Sequence, residues 1–112
     1  SAIRGTLAAR HERCAIWALT WLKTVEAATG RKPLIYTARW AWSAYFARAP
    51  KTLRDELMAY GLWVASYNSG AGPKRVIDGW TETVWQFTGH GKVSGVDGDC
   101  DINVCLASDL GL

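Results

Sequence analysis

No apolar run in this chain approaches the roughly 18 residues that a membrane-spanning helix needs, so no membrane insertion is expected. A signal peptide is missing too. Ser1 is not expected to be the natural start, so that absence leaves location open. Basic residues never run longer than two, as at Arg31-Lys32 and Lys74-Arg75. Without clustering there is no electrostatic footprint for nucleic acid, and that partner is not expected despite a net charge of +3. Beyond Arg75 the only Lys or Arg is Lys92, against Asp78, Glu82, Asp97, Asp99, Asp101 and Asp109. Cysteine is scarce: Cys14, Cys100 and Cys105 permit one disulfide with a free thiol, or three free thiols. Their spacing does not make a zinc site, even with His11 and His90 added, so neither metal nor cofactor is expected. Asp97, Asp99 and Asp101 alternate like the opening of a calcium loop. That loop, however, needs Gly and Glu where Ile102 and Ser108 stand.

What the chain has in quantity is indole. Seven tryptophans among 112 residues serve either as core filler or as a surface that stacks on flat ligands such as sugar rings. An apolar share of 49% against 21% charged residues calls for a buried core rather than disorder.

Apolar spacing predicts a first helix from Leu7 to Thr29, with Cys14, Trp17, Ala18, Trp21, Leu22, Val25 and Ala28 on its buried face. Trp17 and Trp21 are therefore read as core. Gly30 stops the helix, and Pro33 prevents its restart. Leu34 to Thr37 reads as a short buried strand. Helical stretches follow over 39–49 and, with Pro50 in the first turn, up to Tyr60. Leu62 to Tyr67 is a second strand, leading into the loop Asn68 to Pro73. Val84 to Thr88 is a third strand, closed by a turn at Gly89-His90-Gly91. A fourth lies near Asp101 to Val104. Helices alternating with strands indicate an α/β sheet. Trp40 and Trp42 stay unassigned, and His11 and His90 are read as surface residues.

Several segments together resemble the family 25 glycoside hydrolases, the bacterial and phage muramidases of Chalaropsis type. They are Trp21-Leu22 and Val25-Glu26 before Thr29-Gly30, then Gly30 to Thr37, Leu62 to Tyr67, Trp85-Gln86-Phe87-Thr88, Gly91 to Val96, and Asp101-Ile102-Asn103. The resemblance covers nearly the whole chain. It implies a modified β/α barrel that cleaves the β-1,4 bond between N-acetylmuramic acid and N-acetylglucosamine, in a groove at the C-terminal ends of the strands. Bacterial peptidoglycan is then the partner, reached by secretion or by phage delivery. The family's main acid pair is an Asp-x-Glu ahead of the first helix seen here, and this chain contains no Asp-x-Glu or Glu-x-Asp. Such a barrel also needs about 200 residues or more. The chain is therefore expected to be one partial catalytic domain over 1–112, the C-terminal half of the barrel, whose N-terminal half comes from the same protein or a second chain. Cys105 and Leu106-Ala107 depart from the family pattern, and the last helix stops short at Leu112.

Of the ten carboxylates only Asp101 falls where the resemblance places an active-site acid. Glycoside hydrolysis usually takes two carboxyl groups, so Asp101 is expected to be a supporting acid and the isolated chain to be inactive. Tyr36, Trp63, Tyr67 and Trp85 lie in the matching strands, where a ring can stack on a sugar and a polar tip can bond to it; barrel core is the equal alternative for Trp63 and Trp85. Gln86 offers a donor and an acceptor for an acetamido group or, equally, for backbone groups, and Asn103 completes the substrate-binding set. A different class of function also fits these residues: a non-catalytic module that binds cell-wall glycan through the same aromatics.

Overall fold

The computed structural model describes residues 6–68, 72 and 76–107. Helix α1 (Leu7–Thr29) opens the chain, followed by strand β1 (Leu34–Ala38), helices α2 (Arg39–Tyr45) and α3 (Lys51–Met58), and strands β2 (Gly61–Ala65), β3 (Glu82–Gly91) and β4 (Cys100–Cys105). The four strands form one sheet in the order β1-β2-β3-β4. β2 and β3 run parallel, whereas β3 and β4 are antiparallel. This is a mixed α/β fold. Ser69, Gly70, Ala71 and Pro73 of the expected loop lie outside the described residues, as do Ser108 and the chain end through Leu112.

Two compact units emerge from the chain's contacts. The first comprises the described residues up to Ile35 together with Trp40–Gly61, and the second comprises Tyr36–Arg39 and the described residues from Leu62 onward.

In the first unit, the Thr6 hydroxyl caps α1 by accepting the Ala9 N–H at 3.0 Å. Gly30 ends the helix with φ 71°, and its N–H donates to Glu26 O at 2.8 Å. The buried face of α1 is His11, Ala15, Leu19 and Leu22, which is not the stripe that the spacing predicted. Trp17 is 74% exposed and Trp21 54% exposed, so neither is core. Apolar residues lie on more than one side of the helix, with Ile16 exposed as well, and periodicity alone then fits more than one face. The buried face carries the small residue Ala15, fully buried, and α1 packs on α3.

His11 is buried too, contrary to the surface reading. Its Nδ1 accepts the Arg48 N–H at 2.9 Å, which ties α1 to the segment after α2. A buried N–H without a partner is costly, and the imidazole supplies that partner. Regular helix stops at Tyr45, short of the expected Ala49, and Pro50 stands as the N-cap of α3. A residue before proline is pushed out of the helical region, which separates the two helices. Trp42 is core, stacked on Phe46 with centroids 5.6 Å apart, whereas Trp40 is exposed.

In the second unit, Leu62, Val64, Ile77, Trp80 and Val84 are buried. Strand β3 runs through Gly89-His90-Gly91 instead of turning there. Pairing with β4 continues as far as Gly91 opposite Cys100, across two register shifts. Gly91 allows this because a Cβ at that position would overlap the Ile102 side chain. The reversal falls later, where Val96 N–H bonds to Val93 O and Gly95 takes a positive φ. Asp99 in this connection bonds His90 Nδ1 at 3.0 Å and pairs with Lys92. Those two partners, His90 first, hold the Asp99 carboxyl below its ordinary range. Cys14, Cys100 and Cys105 are all free thiols.

Candidate functional site

Register decides which side chains share a face. Trp63 pairs with Val84, and Ala65 with Gln86, across the parallel ladder. Gln86 pairs with Asn103 across the antiparallel one. Partnered positions project to the same side, and alternate positions along a strand do likewise. Trp63, Gln86, Asp101 and Asn103 therefore lie on one face of the sheet. Trp85 lies on the other. Its indole N–H donates to Ser66 O at 2.8 Å, and its ring packs on Phe87 with centroids 5.5 Å apart.

Gln86 is the hub of the shared face. It is 3% exposed, and its Oε1 accepts the hydroxyls of both Tyr36 and Tyr67 at 2.7 Å. The Tyr36 ring meets Trp63 edge to face, with centroids 4.9 Å apart and planes at 70°. The Trp63 indole N–H in turn donates to Asn103 Oδ1 at 2.7 Å. Each aromatic is thus held by a polar partner on another strand. Tyr36 and Tyr67 remain half-exposed, so ring surface is left for a ligand.

Asp101 closes the set. A Cβ placed on Gly89 would lie 3.4 Å from Asp101 Oδ1 and 3.2 Å from Tyr67 Oη, so carboxylate and phenol converge over the same glycine. Burial, followed by the charges of Tyr67 and Asp101, pushes the Tyr36 phenol above its ordinary value. Asp99 is engaged with His90 and Lys92, so Asp101 is the acid that faces the aromatics.

Of the seven residues picked out by sequence, six come together: Tyr36, Trp63, Tyr67, Gln86, Asp101 and Asn103. Trp85 does not join them. Gln86 is present in a different capacity from the one expected, because its oxygen is spent on two tyrosines. Gly89 was missed. Its only signal in the sequence is the Gly-x-Gly around His90, which reads equally well as a turn. Chemically the face offers stacking surface, hydrogen-bond acceptors and one carboxylate. Among the described residues, no three His, Cys, Asp or Glu side chains are grouped to hold a metal.

Comparison with known proteins gives a consistent picture. Residues 6–96 match the model for glycosyl hydrolases family 25. The uncharacterized protein YegX of Escherichia coli K12 is 35% identical over 101 residues, covering 90% of this chain and 33% of YegX. YegX of strain O157:H7 matches to the same extent. The bacterial lysozyme from Streptomyces coelicolor superposes with a TM-score of 0.64 at 30% identity, covering 82% of this chain and 40% of the lysozyme. The chain therefore spans about a third of the length of the curated relatives it matches, and its mixed sheet is similar to part of that lysozyme. On the match over residues 6–96, the chain belongs to glycosyl hydrolase family 25.

Proposed function

We propose that this chain is the C-terminal half of a modified β/α-barrel muramidase acting on bacterial peptidoglycan. The bond cleaved is the β-1,4 link between N-acetylmuramic acid and N-acetylglucosamine. The convergence of Asp101 and Tyr67 over Gly89, beside Tyr36 and Trp63, carries this reading. Tyr36, Trp63 and Tyr67 line the sugar, Asn103 steadies Trp63, and Asp101 supports acids supplied by the other half of the barrel. One carboxylate cannot both protonate a leaving oxygen and stabilise or attack the cation opposite. The acid pair therefore comes from a segment preceding this one in the same protein, or from a second chain. Delivery to the cell wall is by secretion or from a phage.

Asp101→Asn in a full-length protein containing this chain tests the assignment. Because one positioned acid or base is worth about 100-fold or more, turnover of purified peptidoglycan should fall by at least ~10-fold for a supporting acid, with the thermal midpoint unchanged. Wild-type turnover in that variant would reduce Asp101 to a loop residue.

A second reading draws support from where the face is built. All six residues belong to a single compact unit, which suits a glycan-binding module without hydrolysis. Sedimentation with insoluble peptidoglycan, free of any muropeptide release from the full-length protein, would favour that alternative.

A further inference from the structure

We propose that Gln86 is a positioning residue that takes up both phenolic protons of Tyr36 and Tyr67 and so leaves the two phenol oxygens, together with the Asp101 carboxylate, as an acceptor-only surface. The inference rests on the carbohydrate reading above for its ligand, but not for its geometry.

The two hydroxyl contacts to Gln86 Oε1 are each 2.7 Å. That is the usual O–H···O length, whereas N–H···O bonds centre nearer ~2.9–3.0 Å. A carbonyl oxygen carries two lone pairs, and two hydroxyl donors use both. Burial of Gln86 makes the arrangement consequential, because a buried amide oxygen without donors is costly. Its main chain is fixed as well: Gln86 O accepts the Ser66 N–H at 3.1 Å, so β2 holds the strand that carries the amide.

With its proton committed inward, each phenol has only lone pairs left for a ligand. The Asp101 carboxylate beside Tyr67 accepts as well and cannot donate when ionised. The three oxygens therefore favour groups that bring N–H or O–H donors, and they repel bare carbonyl or carboxylate oxygens. On an N-acetylated sugar, the amide N–H and the ring hydroxyls meet this demand, whereas the acetamido carbonyl must point elsewhere. A site that hydrogen-bonds a substrate N–H rejects the analogue lacking it. Gln86 thus sets the polarity of the site without touching the ligand.

The test uses the chain labelled with 13C at tyrosine Cζ, with the Tyr36 signal assigned through Tyr36→Phe. Gln86 can present an oxygen, which opposes ionisation of the phenol, or an amide N–H, which favours it. Replacing Gln86→Met at similar volume then has a sign. A fall of the Tyr36 midpoint supports the proposal, whereas a rise or no change overturns it. Gln86→Glu supplies the second variant should the first not fold. Two hydroxyl donors would hold the new carboxyl, read at its own 13C signal, below the ordinary glutamate range. A midpoint above that range, the result of burial without donors, contradicts the proposal.

Ligand polarity is read with tri-N-acetylchitotriose and its amide-N-methylated analogue by chemical-shift titration. N-methylation should weaken binding by about 10-fold or more, and Gln86→Met should shrink that ratio. Equal binding of both by the wild-type chain overturns the acceptor-only surface. Binding of neither, together with the expected Tyr36 shift, counts against the sugar reading alone and leaves the role of Gln86 supported.

Discussion

Tyr67 and Asp101 come from opposite ends of the second unit's sequence, yet they meet over the backbone of Gly89. A Cβ there would stand 3.2 Å from the phenol oxygen and 3.4 Å from the carboxylate. The first distance is tight enough to force a shift of a few tenths of an ångström and the second is close contact, so the relative placement of the two groups depends on a missing side chain.

Gly89→Ala should accordingly impair the site more than the fold. Glycan binding or turnover is expected to drop several-fold, with the chemical-denaturation midpoint nearly unchanged. Gly91→Ala makes the contrast. Its Cβ would overlap Ile102 inside the β3–β4 ladder, and overpacking of this kind costs about 1–3 kcal/mol. Should Gly89→Ala unfold the chain as readily as Gly91→Ala, the glycine serves packing and not the site.

The true face of α1 can be checked by truncation. Leu19 is 4% exposed, and emptying a buried leucine position costs about 2–5 kcal/mol. Trp17→Ala and Trp21→Ala should each stay within about 0.5 kcal/mol of wild type in the isolated chain, as exposed substitutions do. Urea unfolding of the three variants decides it. Large losses at both tryptophans with little at Leu19 would restore the stripe that the spacing predicted.

Alkali should loosen the fold through two tyrosines. Burial first, then the hydrogen bond to Glu26 at 2.8 Å, raises the Tyr60 phenol above its ordinary value. Tyr36 is raised as well, chiefly by burial. The folded chain keeps these protons longer than the unfolded chain, whose tyrosines ionise near ~10. Their contribution is fully present below that pH and is lost as pH rises through the higher folded values. Thermal midpoints measured between pH 8 and pH 11 should therefore fall toward the alkaline end. Tyr60→Phe should flatten that decline, and an unchanged slope in the variant would exclude Tyr60 from it.

Much of this molecule is legible in its sequence where local chemistry is strong. The bounds of α1, marked by Gly30 and Pro33, are read correctly, and so is the existence of all four strands. What failed did so for tertiary reasons. On α1, tryptophan and leucine score alike as apolar, and only tertiary packing selects Ala15 and Leu19 over Trp17. The turn expected at Gly89-His90-Gly91 is strand because the ladder with β4 continues to Gly91 opposite Cys100, and glycine fits where Tyr67, Asp101 and Ile102 crowd the space that side chains would need. His11 reads as a surface residue until Arg48 N–H, 37 positions away, is seen to require an acceptor. The site residues were found through family likeness on strand segments. The side on which Trp85 falls followed only from the pairing of β3 with β2 and β4, and Gln86's commitment to two phenols only from the folded structure.

On the proposed function, this chain carries a supporting acid and a sugar-lining face but not the pair of acids that breaks the bond. This is tested most directly by incubating the pure 112-residue chain with purified peptidoglycan and measuring new reducing ends. None is expected above the buffer control, even at prolonged incubation. Muropeptide release that rises with enzyme concentration would contradict it, because the residues present would then suffice for hydrolysis.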